Sequence, residues 1–312
     1  MSRTGKIATR FLQPLLLLCL LGFAPVICAA ANLRVLVVLS DNGIPYQAFY
    51  KALSLKLPAS IQFTVLEHPE ELHTAVPQAD LIVAVGMKAT ESATAKTNIP
   101  VLGVMIPKTG YEELLVRQKP ANSISAIYLN QPWGRQLDFL HAALPERRKI
   151  GLLYSPGTRI DLAQLRQNIA ERGGSLIAQP VHSAAQLFAD LEDVLAGCDV
   201  LLAVPDSTIY SSSNIRNILL TSYRRSIPLV GFSQAYVNAG ALAAIFSTPE
   251  QLAEQTSESV ISFARTAQLP EPQYPAIFTI AVNQQVARSL GIELCLPDAI
   301  RKQMLKEKEE GQ

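Results

Sequence analysis

The chain is poor in the residues of metal and disulfide chemistry, with four cysteines and four histidines in 312 residues. They are too few and too scattered for a metal scaffold or a disulfide framework. His68 and His73 lie five apart beside Glu67, Glu70 and Glu71. That is not the i, i+4 spacing of a helical zinc pair, and it reads as a solvated face. A phosphate loop is missing, because Gly86-Met87-Lys88-Ala89-Thr90 lacks the spaced glycines and the Gly-Lys-Ser/Thr step. There is no Gly-x-Ser-x-Gly elbow either. An enzyme is therefore the weakest reading, and no cofactor is expected. Charge of one sign is also lacking, with 27 Lys plus Arg against 26 Asp plus Glu. Such a balance argues against a nucleic-acid partner. What is abundant is apolar residue, at 49% against 17% charged. The length and this composition fit two domains with sizeable cores.

Residues 1–30 read as a signal peptide. Arg3, Lys6 and Arg10 precede an apolar run over 11–21, followed by small residues at Cys28, Ala29, Ala30 and Ala31. Basic, apolar and small-residue regions in that order predict export, with cleavage after Ala30. The alternative is an uncleaved anchor over 11–31, which Pro14, Gly22 and Pro25 disfavour. Cleavage turns the formal net charge of +1 into about −2. It leaves Cys198 and Cys295. In an oxidising compartment these two could pair, but two buried free thiols are the favoured reading.

Two stretches say nearly the same thing. One runs Asp80-Leu81-Ile82-Val83-Ala84-Val85 and then Ile99-Pro100-Val101-Leu102-Gly103. The other runs Asp199-Val200-Leu201-Leu202-Ala203-Val204 and then Ile227-Pro228-Leu229-Val230-Gly231. A separation of about 120 residues is the size of a domain rather than of a solenoid repeat. Around them apolar strands alternate with helical segments. Strands are predicted at 33–39, 61–66, 81–85, 101–104 and 124–129, with helices at 46–57, 69–76, 88–96 and 110–117. The pattern restarts with a helix at 132–144 and strands at 149–154, 175–179, 200–204, 229–232, 240–246 and 277–282. Helices at 161–172, 184–195, 213–224, 249–267 and 283–290 accompany them. From Arg301 the chain reads as a charged, fraying tail. The fold class is α/β, as two doubly wound parallel-sheet lobes.

In open α/β sheets, ligands lie beyond the carboxyl ends of the strands. That rule selects Ser40, Asp41 and Tyr46, then Gly86 and Met87, then Met105 and Ile106. In the second half it selects Ser155 and Thr158, then Asp206, Ser207 and Thr208, then Ser233 and Gln234. Asp206 is the favoured contact, as a carboxylate for a ligand ammonium. A helix cap explains it equally well. Asp41 reads more readily as a turn residue. Ser155 and Thr158 could grip a carboxylate or cap a helix. Tyr46, Tyr154, Tyr210 and Phe232 are wall or core. Trp133 reads as lobe packing. The second half is thus expected to hold the polar groups of a small-molecule ligand, and the first to close over it.

One resemblance gathers these features. Asp80 to Gly86, Ile150-Gly151-Leu152-Leu153-Tyr154-Ser155-Pro156, Ala203-Val204-Pro205-Asp206-Ser207-Thr208, Ile227-Pro228-Leu229-Val230, Gly240-Ala241-Leu242-Ala243-Ala244 and Val282-Asn283 occur in that order. Together they resemble the tryptophan/tyrosine-type family of ABC-transporter solute-binding proteins, with the type I periplasmic binding protein fold. The resemblance implies two lobes joined by a three-segment hinge. Lobe one would be 32–129 plus 247–273, lobe two 130–245 plus 276–297, and 298–312 a charged tail. It implies a periplasmic monomer that captures a small polar solute, such as an amino acid, for an ABC permease in the inner membrane. A sensor or co-receptor on the same fold is the alternative. Ile245-Phe246-Ser247-Thr248-Pro249-Glu250 departs from the family's pattern, as do the first-lobe turns Gly86-Met87-Lys88 and Met105-Ile106-Pro107-Lys108, which the resemblance makes candidate pocket positions.

Overall fold

The computed structural model describes residues 33–72, 79–118 and 123–310. The segment expected to be a signal peptide and half of the helix expected at 69–76 lie outside them. Where that helix was expected, one turn of 3-10 helix spans Pro69–Glu71.

Continuous apolar runs make the first sheet. Strands β1 (Arg34–Leu39), β2 (Gln62–Leu66), β3 (Leu81–Val85), β4 (Val101–Ile106) and β5 (Ile124–Tyr128) run parallel in the order β2-β1-β3-β4-β5. All five residues of β3 are buried, as a strand covered on both faces requires. Burying each such side chain contributes about 1.5–3 kcal/mol before entropy is counted. Helices α1 (Ile44–Lys56), α2 (Met87–Lys96) and α3 (Lys108–Gln118) connect the strands.

The second sheet repeats the plan. Helix α4 (Trp133–Ala143) leads into β6 (Lys149–Tyr154), α5 (Leu162–Glu171), β7 (Ser175–Pro180), α6 (Leu187–Gly197) and β8 (Val200–Leu202). Then follow α7 (Ile215–Arg224), β9 (Leu229–Gly231), α8 (Gln234–Ala239) and β10 (Ala243–Phe246). The sheet order is β11-β10-β9-β8-β6-β7, and the edge strand β11 (Thr279–Val282) is antiparallel to β10. The sequence pattern did not reveal α8. It is only six residues long, although Ser233 precedes it and Gly240 stops it at φ 118.

The internal repeat has a local cause. The carboxylates of Asp80 and Asp199 each accept a backbone N–H at the start of the neighbouring strand, from Arg34 and from Lys149, both at 3.0 Å. The carbonyls of Pro100 and Pro228 accept the N–H of Ile82 and of Leu201, both at 2.9 Å. The repeated Asp and Ile-Pro residues therefore fix strand register at the amino ends of both sheets.

Three segments join the two sheets, at 129–132, 247–248 and 273–278. Helix α9 (Pro249–Thr266) returns to the first sheet, where Leu252, Ala253, Val260 and Phe263 pack with Phe49 and Leu53 of α1. Gln273 then lies along the edge of β5, donating to Ala126 O (2.8 Å) and accepting from Tyr128 N (2.9 Å). The crossings are tied together. Gln131 Nε2 donates to Ser247 Oγ at 2.9 Å, and Ser247 Oγ donates to Ile277 O at 2.5 Å. Arg135 Nη1 donates to Pro275 O at 2.8 Å.

The end of the chain corrects an expectation. Helix α10 (Gln284–Ser289) is followed not by a fraying tail but by α11 (Pro297–Glu310), which packs on α4. Ile300 and Met304 are buried in the second core. Arg301 stacks on Phe278 at 4.3 Å and donates to its carbonyl at 2.8 Å. The charged residues hide an apolar i, i+4 pair on one face.

Candidate functional site

The carboxyl ends of β6 and β8 meet at one carboxylate. Asp206 Oδ2 accepts Ser155 N (2.9 Å), Ser155 Oγ (2.6 Å) and Thr158 Oγ1 (3.0 Å). Its Oδ1 accepts the N–H groups of Thr208 (3.0 Å) and Ile209 (3.3 Å). Asp206 is buried. Five donors saturate the carboxylate, so in this arrangement it pins two loops together and offers no oxygen to a ligand ammonium. Ser155 and Thr158 face Asp206 and each other (3.0 Å). The helix that follows them is capped instead by Asp161, which accepts Gln164 N at 2.9 Å.

The other candidates fall into separate places. Ser207 and Thr208 are exposed beside Asp206. Ser233 precedes α8 without a side-chain cap, and Gln234 is exposed and bonds Asn238 within the same helix. In the first lobe Ser40, Tyr46 and Gly86 converge. Ser40 N donates to Val85 O, and Ser40 Oγ accepts Ala89 N, both at 3.0 Å. Gly86 has φ 87, and a Cβ there would stand 2.6 Å from Ser40 Oγ and 2.7 Å from the Tyr46 hydroxyl. Only glycine fits such a contact. Burial, helped by Asp41, pushes the Tyr46 phenol upward. Asp41 holds its own turn, accepting Gly43 N at 2.7 Å. Met87 sits against Gly110 and packs with Ile106 and Tyr111. Met105 takes the left-handed conformation (φ 58) at a register shift in β4, and it and Ile106 turn into the core. Tyr210, Phe232 and Tyr236 form an aromatic cluster with ring centroids 4.4–6.5 Å apart. Burial drives the Tyr210 and Tyr236 phenols well above their ordinary range.

A cavity of about 410 Å³ lies between the lobes. Lys108 and Glu112 line it from the first, Trp133, Thr158 and Arg159 from the second, and Asn130 and Tyr274 from the crossings. Thr158 alone of the residues that the strand-end rule selected lines it. Lys108 N donates to Asn130 Oδ1 at 2.8 Å. Its ammonium lies 3.6 Å from Glu112 and 5.6 Å from the Tyr274 ring centre. Burial pulls this ammonium's pKa down, but Tyr274 and Glu112 outweigh it and hold the group above its ordinary value. Lys108 ends the Met105-Ile106-Pro107-Lys108 turn that the resemblance singles out; Arg159 was missed, although it follows the carboxyl end of β6, a position the strand-end rule selects. Trp133 packs on the second core, as its position suggests, and also lines the cavity. Both thiols are free, but only Cys198 is buried as expected; Cys295, between α10 and α11, is exposed. Among the described residues no group of three His, Cys, Asp or Glu side chains gathers to hold a metal, and no helix is long and apolar enough to cross a membrane.

Comparison with solved structures supports the fold. An ABC domain from Streptococcus pneumonia in complex with L-Trp matches with a TM-score of 0.64 at 16% identity, covering 87% of this chain and 98% of that one. A conserved domain protein from Vibrio cholerae matches at 0.63 and 19% identity, over 87% and 98%. The ligand-free, open form of CD0873, a substrate binding protein with adhesive properties from Clostridium difficile, matches at 0.63 and 17% identity, over 84% and 96%. No curated relative matches the sequence. The model of the ABC transporter substrate binding protein family matches residues 70–307. With two α/β lobes, three crossings and a cavity between them, the chain belongs to the ABC transporter substrate binding protein family.

Proposed function

We propose that the protein is the extracytoplasmic solute-binding component of an ABC transporter. It captures a small polar solute in the interlobe cavity, closes on it about the three crossings, and delivers it to a permease in the inner membrane. The cavity between two lobes joined by 129–132, 247–248 and 273–278 carries this reading, because binding there is coupled to domain closure. The L-Trp-bound neighbour makes amino acids and similar metabolites the first solutes to test. No step of covalent chemistry is assigned to the site. Export by the 1–30 segment would place the protein in the periplasm.

Purified protein beginning at Leu33 should be screened by thermal unfolding against amino acids, organic acids and sugars. A solute at a hundred times its Kd raises stability by about 2.7 kcal/mol. A screen in which no small solute shifts the transition would sink the proposal. A sensor role on the same fold predicts the same binding. Solute uptake that survives deletion of the protein would favour the sensor.

A further inference from the structure

The third crossing, 273–278, is gripped from both sides. The first lobe holds its beginning. Gln273 lies along β5, and Gln255 of α9 donates to Tyr274 O (3.1 Å) and accepts Ala276 N (2.9 Å). The second lobe holds its end, where Arg301 of α11 stacks on the Phe278 ring and donates to Phe278 O. Pro275 breaks this division. It lies between two residues bonded to the first lobe, yet its carbonyl accepts Arg135 Nη1 from α4 of the second lobe at 2.8 Å. The same nitrogen donates to Gln131 Oε1 in the first crossing, and Gln131 in turn reaches Ser247 in the second. The Arg135 guanidinium also lies 4.8 Å from the Phe278 ring centre, so one ring carries two cations. Burial, and then the charge of Arg301, pull the Arg135 pKa below its ordinary value. Packing alone would be served at less cost by an apolar side chain. Arg135 is not part of the cavity's lining.

We propose that Arg135 is a latch that sets the angle between the lobes in the solute-free protein. This rests on the solute-binding reading above and adds what holds closure back. Turning one lobe against the other carries Pro275 with the first lobe and Arg135 with the second, so their bond must strain or break. The contact of Arg301 with Phe278 lies within the second lobe and travels with it. Arg135 is therefore a positioning residue that acts on the solute through the lobe angle. A solute that needs another angle must first break the latch, which lowers its apparent affinity.

The test measures the distance between the lobes by pulsed electron resonance, with no solute present. Protein beginning at Leu33 carries one spin label on exposed Cys295, in the second lobe, and one on Leu55→Cys, an exposed position on α1 of the first. With Arg135 in place, one narrow distance population is expected. Arg135→Met keeps a stem of similar length against Phe278 and removes both hydrogen bonds. It should add a second population, the balance moving about tenfold for the loss of a hydrogen bond to a charged group. Arg135→Lys keeps the charge but loses the fork that reaches two acceptors, and should do the same. Arg301→Met is the control. It removes the other cation on Phe278, and should lower the unfolding midpoint without changing the distances. A broad distribution in the parent protein overturns the latch. So do unchanged distances in the Arg135 variants, or an equal change with Arg301→Met. Should Arg135→Met not fold, Arg135→Lys decides alone. No solute enters these measurements, so failure of the latch leaves solute binding to be judged separately by the thermal screen.

Discussion

Asp206 joins β6 to β8 through hydrogen bonds to residues up to 51 positions away. Replacing it with Ala leaves two hydroxyls and three N–H groups without their acceptor, several of them shielded from water. Asp206→Ala should lower stability by about 2–4 kcal/mol in urea unfolding. Gly86→Ala should also destabilise, because the left-handed backbone and the Ser40 and Tyr46 contacts leave no room for a methyl group. Cys198 gives a pH signature. Burial and then Asp199 push its thiol up to about 11. The unfolded thiol ionises near pH 8.5. Its contribution is therefore fully present below that pH and lost as pH rises towards 11. The wild type should lose about 2–3 kcal/mol more than Cys198→Ser across this window. Native protein beginning at Leu33 should react with one equivalent of a thiol reagent, at exposed Cys295. The sequence marked Asp206 as a residue with work to do. Its partners were not readable, because they depend on which strands lie side by side.

Two helices of this chain differ in how local their causes are. Helix α9 opens with a capping box, in which Thr248 Oγ1 accepts Gln251 N and Gln251 Oε1 accepts Thr248 N. Its start was legible as Thr-Pro, and Thr248→Ala should cost about 1 kcal/mol in thermal unfolding. Helix α11 was not legible as ordered structure, since eight charged residues over 297–310 outweigh Ala299, Ile300, Met304 and Leu305 in any local count. Only the groove beside α4 gives Ile300 and Met304 a place to be buried. Ile300→Ala should cost about 2–4 kcal/mol, far more than a frayed tail would register. The same limit hid the antiparallel course of β11, since neither strand direction nor sheet edge is written in a run of four residues.

At the scale of the whole molecule, Gln131, Ser247 and Ile277 bring all three crossings within hydrogen-bond reach. On the proposed function, lobe closure turns about this knot. Small-angle scattering should therefore show a smaller radius of gyration once a stabilising solute is added. The paired sheets were legible because apolar strands and the Asp and Ile-Pro repeats are local patterns. The cavity was legible only as the ends of strands, because which loops face each other across it depends on how the crossings set the lobes. The return of α9 has one more consequence, which concerns time. The part of the cover over Phe49 and Leu53 that α9 supplies is missing until residues some 200 positions later have been made. A growing or threading chain thus carries an unfinished first lobe through almost its entire synthesis. Such delay keeps a polypeptide pliable enough to pass through a narrow channel before it locks.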